Sequence, residues 1–270
     1  MGGAARYARC HGDDGRDILP PADYREDPRV NISWTDARAV TLVAAIQAGD
    51  TERLQRQLRE HPELASACIV DTCGVARSLL HVAADWPGHF PNGAQTVATL
   101  AAAGADVNAR VRHAKPGSAP ETPLHWAASS DDVAVLDALL DAGADIEAPG
   151  GVFTDGPAMS DAVVFAQWKA ARRLLERGAA TTIWQAAALG LLDRVRELCT
   201  AEPAPSPREI TNAFWNACRG GQIACADFLL ERGADLNWVG HDGKMPADAA
   251  REGGDAAMLE WLRAHGAKRA

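Results

Sequence analysis

Eight histidines and six cysteines are the side chains with the widest chemical range in this sequence, and their spacing decides what they can do. The histidines are His11, His61, His81, His89, His113, His125, His241 and His265. A zinc hydrolase places two of them one helical turn apart around a glutamate, and no His-Glu-x-x-His run occurs. Gly-x-Ser-x-Gly is also absent, as is a phosphate-cradling glycine loop ending in Lys-Ser or Lys-Thr. An active site would have to be assembled from His89, Asp85 and His113. Catalysis is therefore not expected, nor is a cofactor or a metal. No Cys-x-x-Cys pair exists among Cys10, Cys68, Cys73, Cys199, Cys218 and Cys225, so small, reduced core thiols are the expectation. Cys68 and Cys73, five apart in a loop, leave a redox or metal role as the alternative.

Recognition chemistry is better supplied. Between two apolar helical runs stands Asp85-Trp86-Pro87-Gly88-His89-Phe90-Pro91-Asn92-Gly93, whose prolines and glycines make it a shaped loop rather than a lengthened helix. Trp86, His89 and Phe90 offer apolar area and hydrogen bonding on a braced backbone that loses little entropy on binding. The competing reading folds Trp86 and Phe90 back to cover the extra length. A net charge of −9 argues against the basic stripe that nucleic acid or an acidic membrane surface requires. No apolar run reaches the roughly 20 residues of a membrane span. Met1 to Cys10 also lacks the apolar core of a secretory leader, so the cytoplasm is expected.

The segments that must carry these residues are helical. With 47% hydrophobic residues over 270 positions, the chain can bury a continuous core. Glu121-Thr122-Pro123-Leu124-His125-Trp126-Ala127-Ala128 leads into an amphipathic run ending Leu139-Leu140-Asp141-Ala142-Gly143-Ala144-Asp145. Thr122 can cap the first free amides, Pro123 suits the first helical position, and Gly143 supplies a left-handed stop. The Thr-Pro-Leu-His-x-Ala signature with its Gly-Ala-Asp ending resembles the ankyrin repeat, whose period is about 33 residues. Weaker copies follow the same pattern, with starts near residues 40, 78, 122, 157, 181, 212 and 245. Residues 1–33 show no sustained apolar period and read as a flexible arm before a repeat domain over 34–270. Pro203, Pro205 and Pro207 read as a rigid connector ahead of the sixth copy.

The resemblance implies an all-α solenoid of about seven helix-turn-helix repeats with short β-hairpin fingers in its first half. It implies structural roles for His81 and His125, which would hydrogen-bond the backbone of adjacent loops. Trp184 and Trp215 would take that histidine position in later copies and replace the polar bridge with mutual apolar packing. Trp126 lies at a variable position that faces the concave side in this family, where an exposed indole would anchor a partner. Arg110, Arg112, His113 and Lys115 make one finger basic, and Phe153 and Asp155 lie in the next. A partner spanning the second to fourth copies would meet the fingers and the Trp86 loop together. The expected function is a monomeric, non-catalytic scaffold for a protein partner, using Trp86, His89, Phe90, Arg112, His113, Trp126 and Phe153. The alternative is a regulatory or small-ligand module with a pocket beneath the 85–93 loop.

Overall fold

A computed structural model describes residues 30–113 and 120–268. Most of the expected arm therefore lies outside the described residues, as do Cys10 and Lys115. The chain divides into two compact units, one ending at Leu174 and the other beginning at Leu175.

The first unit opens with β1 (Asn31–Ser33), which pairs parallel with β2 (Cys68–Val70), and β2 pairs antiparallel with β3 (Ala76–Ser78). Ile32 is the buried residue of β1, and its period-2 position explains why this short strand adheres. Arg112 adds one antiparallel bridge to Ala76. The described residues are mostly helical, as expected, and the end of the expected arm is part of this small sheet. Regular strands among the described residues are confined to it. Segment 150–156, expected as a finger, is instead a hydrogen-bonded turn with Gly151 N–H on Gly156 O at 2.8 Å.

Helices come in successive pairs. α1 (Ala37–Ala48) and α2 (Thr51–Glu60) are followed by α3 (Leu79–Ala83) and α4 (Gly93–Ala102), then α5 (Pro123–Ser129) and α6 (Val133–Asp141). α7 (Ala158–Val164) and α8 (Trp168–Glu176) come next. α1, α3, α5 and α7 pack in one row, while α2, α4 and α6 form a second. Leu42, Leu80, Leu100, Leu124, Leu136 and Met159 are fully buried between the rows, so each pair covers apolar surface that its neighbour could not bury alone. Asp131 accepts the Ala170 N–H at 2.8 Å and Asp137 accepts Arg173 Nε at 2.8 Å, tying α8 to the α6 row.

The second unit holds α9 (Ile183–Leu189), α10 (Leu192–Thr200), α11 (Pro207–Arg219), α12 (Ile223–Leu230), α13 (Pro246–Glu252) and α14 (Ala256–Ala264). α11 packs on α9, α12 and α13, with Phe214 at the centre of one apolar cluster. Pro207 is not part of a connector. It is the first residue of α11, set there by Ser206 and Glu209, which exchange backbone amides in a reciprocal cap. None of the described helices is long and apolar enough to cross a membrane.

Candidate interaction surface

Three ring nitrogens stitch successive copies together. Ser78 N–H points at His81 Nδ1 at 3.3 Å and Thr122 N–H at His125 Nδ1 at 3.2 Å, so both Nδ1 atoms are acceptors. The proton therefore sits on Nε2, which donates to Glu121 O from His81 and to Gly156 O from His125, each at 3.1 Å. In the second unit Trp215 Nε1 donates to Lys244 O at 3.0 Å. The polar bridge expected to vanish at Trp215 is thus retained by an indole. Trp184 does not hold that position: Gln185 stands three residues after the capping Thr182, and its Oε1 accepts the Thr182 N–H at 2.8 Å. Trp184 packs against the apolar cluster instead.

The 85–93 loop bridges α3 to α4. Inside it, Gly88 N–H reaches Asp85 O at 2.7 Å and Gly93 N–H reaches Phe90 O at 3.1 Å. Gly88, His89 and Asn92 all have positive φ. Neighbouring turns hold it from both sides. Asn92 Nδ2 donates to Gly49 O at 3.0 Å, and His89 N–H donates to Asp132 Oδ2. Asp132 is buried and also caps α6 through Val135 N–H at 3.2 Å, so one carboxylate fixes both helix and loop. A Cβ at Gly88 would stand 2.9 Å from that of Ser130. The two sequence readings therefore divide between backbone and side chains. The backbone is packed, Phe90 is half-buried, and Trp86 is 48% exposed with the His89 side chain at 63%.

The finger residues are placed elsewhere. Arg110 Nη1 donates to Pro120 O at 3.0 Å and Pro149 O at 2.6 Å, a strut rather than a free basic group. Arg112 is half-buried and its Nη2 donates to Asn31 Oδ1 at 2.7 Å, and His113 is half-buried as well. Phe153 is 69% exposed, with its ring 5.7 Å from Phe165. Trp126 is not the exposed anchor expected of it. It stands edge-on to His81 at 5.0 Å beneath the Arg77 guanidinium at 6.0 Å, and its buried Nε1–H has no hydrogen-bond partner among the described residues.

Arg112 and His113 precede α5, whereas Phe153 stands beside Phe165, the residue that caps the C-terminal end of α7. Beside α3, Arg77 pairs with Asp71 at 2.6 Å and Asp85 at 3.5 Å.

Burial pushes the Cys218 thiol well up and the Cys225 thiol up to about 11, which disfavours the nucleophilic thiolate. Cys68 is buried with a free thiol on β2. Cys73 is disulfide-bonded, which departs from the expectation of reduced core thiols. Compared with known proteins, residues 121–150 match the family model for the ankyrin repeat. No curated protein matches the chain.

Proposed function

Because the chain is an ankyrin-repeat protein, we propose that it is a non-catalytic protein–protein interaction scaffold whose partner seats on the Trp86–Phe90 loop. One observation carries this reading: Trp86 and His89 present their side chains to solvent from a backbone held on both sides. A large aromatic group on a fixed backbone has little entropy to lose, which is what a binding anchor requires. Phe153, also exposed, is a second contact for a partner broad enough to reach it. The competing small-ligand pocket beneath the loop is disfavoured. A Cβ at Gly49 would lie 2.1 Å from Pro91 O, so the loop rests directly on its neighbour there.

The same proposal treats the helix pairs among the described residues as repeats of one kind, each stacked on its neighbours within its unit, and the protein as a monomer. Cytoplasmic residence rests on the free thiols of Cys68, Cys199, Cys218 and Cys225 and is opposed by the Cys73 disulfide. Thiol labelling of Cys73 in protein taken from its native cell decides between them.

The binding test is affinity capture from native lysate with wild-type protein and a Trp86→Ala/His89→Ala variant of matched thermal stability. A partner held by the first and lost by the second supports the loop as an interface. Identical captures remove the loop from the interface and move attention to Phe153.

A further inference from the structure

Helices α13 and α14 leave a groove of about 350 Å³ whose floor is apolar. Ala247 and Leu262 are buried in it, and Leu259 and Ala267 are half-buried. Arg251, Arg263 and Lys268, all exposed, complete the lining, and no acidic residue belongs to it. Backbone hydrogen bonds fix the wall beyond α14. Gly266, at φ 86°, turns the chain so that Ala267 N–H reaches Leu262 O at 3.0 Å, and Lys268 N–H then donates to Asn237 Oδ1 at 2.7 Å.

Charge selects the guest. Arg263 and Lys268 make no ion pair among the described residues. Arg251 Nη1 meets Asp248 Oδ1 at 2.7 Å, and Asp248 also accepts the Met245 N–H at 3.1 Å, so that carboxylate is committed to the start of its own helix. Glu252 is turned onto Lys244 Nζ at 2.8 Å, and Glu260, the residue after Leu259, lies outside the lining. Two cations therefore stand over an apolar floor with no counter-charge among the described residues, although the protein carries a net charge of −9. By contrast, a notch between α11 and the α12–α13 connection, at Trp238, has Glu209 beside Arg208 and no charge preference. Spacing narrows the guest further. Ala247 and Arg251 stand one turn apart on α13, as do Leu259 and Arg263 on α14, which is the repeat of a helix whose leucines and carboxylates recur at the same interval. We propose that this groove docks an acidic amphipathic helix of a partner protein, with leucines on Leu259 and Ala267 and carboxylates on Arg263 and Lys268. This surface lies wholly in the second unit and does not depend on the Trp86 loop.

The test is calorimetric titration of the full chain with a blocked peptide of two Leu-Glu-Ala-Leu-Glu-Ala-Ala heptads, set against counterparts with Lys for Glu and with Ser for Leu. Arg263→Glu and Lys268→Glu change exposed side chains, and thermal unfolding verifies that each variant folds. The expected result is saturable binding of the acidic leucine peptide, weakened about tenfold by either substitution, with the doubly substituted protein binding the lysine peptide instead. Trp86→Ala should leave the titration unchanged, which separates this proposal from the preceding one. No saturable heat at about 1 mM peptide, or equal affinity in wild type and the double variant, overturns it. So does equally tight binding of the serine peptide, which would make the groove a plain anion site. Binding to phosphatidylserine vesicles without binding to the peptide overturns it too, by assigning the groove to an acidic membrane surface.

Discussion

His125 commits both ring nitrogens to the backbone, accepting from Thr122 N–H and donating to Gly156 O. A second proton on Nδ1 would face the very N–H it now accepts. Burial holds the imidazole pKa below its usual value and the Arg110 charge pushes the same way, while the hydrogen bond to Gly156 opposes them. With the folded pKa below the unfolded value of about 6.5, the unfolded chain binds more protons in the interval between them. The contribution is thus complete above about pH 6.5 and is lost as pH falls toward the folded pKa. Thermal unfolding of wild type should decline from about pH 7 to about pH 5, and His125→Gln should flatten that slope while lowering stability at neutral pH. An unchanged slope would assign the titration to other groups. Trp215 makes the equivalent bond with a donor that does not titrate. Trp215→Phe should cost about 1 kcal/mol, measured by chemical denaturation, with no change in pH dependence.

The loop between α3 and α4 shows how a connection becomes a rigid platform. Its prolines and glycines announce a shaped turn, but its anchors at Gly49 and Asp132 each stand 43 residues away from the loop residue they hold. Local sequence pattern cannot reveal such pairings, which is why the loop was readable and its seating was not. Gly49 has φ 65°, and a Cβ there would meet Pro91 O at 2.1 Å. Gly143 has φ 95° with nothing within 4 Å of the same position. Gly143→Ala should therefore cost only the backbone preference of about 1 kcal/mol. Gly49→Ala should cost at least twice as much, roughly 2–4 kcal/mol, because turn and loop must also separate. Urea denaturation of both variants compares them directly, and equal losses would mean that the loop does not press on Gly49.

Across the chain, helix boundaries were readable where the cap is local and unambiguous, as at Thr122 and Pro123. They are ambiguous where two local signals compete. Three nearby prolines masked the Ser206–Glu209 cap of α11, and the Thr181-Thr182 doublet shifted the fifth copy by one residue, putting Trp184 where Gln185 belongs. The exposed notch at Trp238 has no local sequence signature, because its walls converge from α11 and the α12–α13 connection, segments far apart in sequence. What the apolar periodicity does imply is energetics without a single centre: each helix pair draws stability from its neighbours. In the second unit Phe214 is fully buried on α11, which packs on α9, α12 and α13, whereas Leu262 is fully buried on α14, which packs on α13. Phe214→Ala should cost about 3–5 kcal/mol and Leu262→Ala about 2–5 kcal/mol, so their energies overlap. Their reach should differ. Hydrogen exchange should quicken from α9 to α13 in Phe214→Ala but only in α13 and α14 in Leu262→Ala, as expected of nearest-neighbour stacking. Equal quickening throughout the unit in both variants would show instead that its six helices open as one cooperative block.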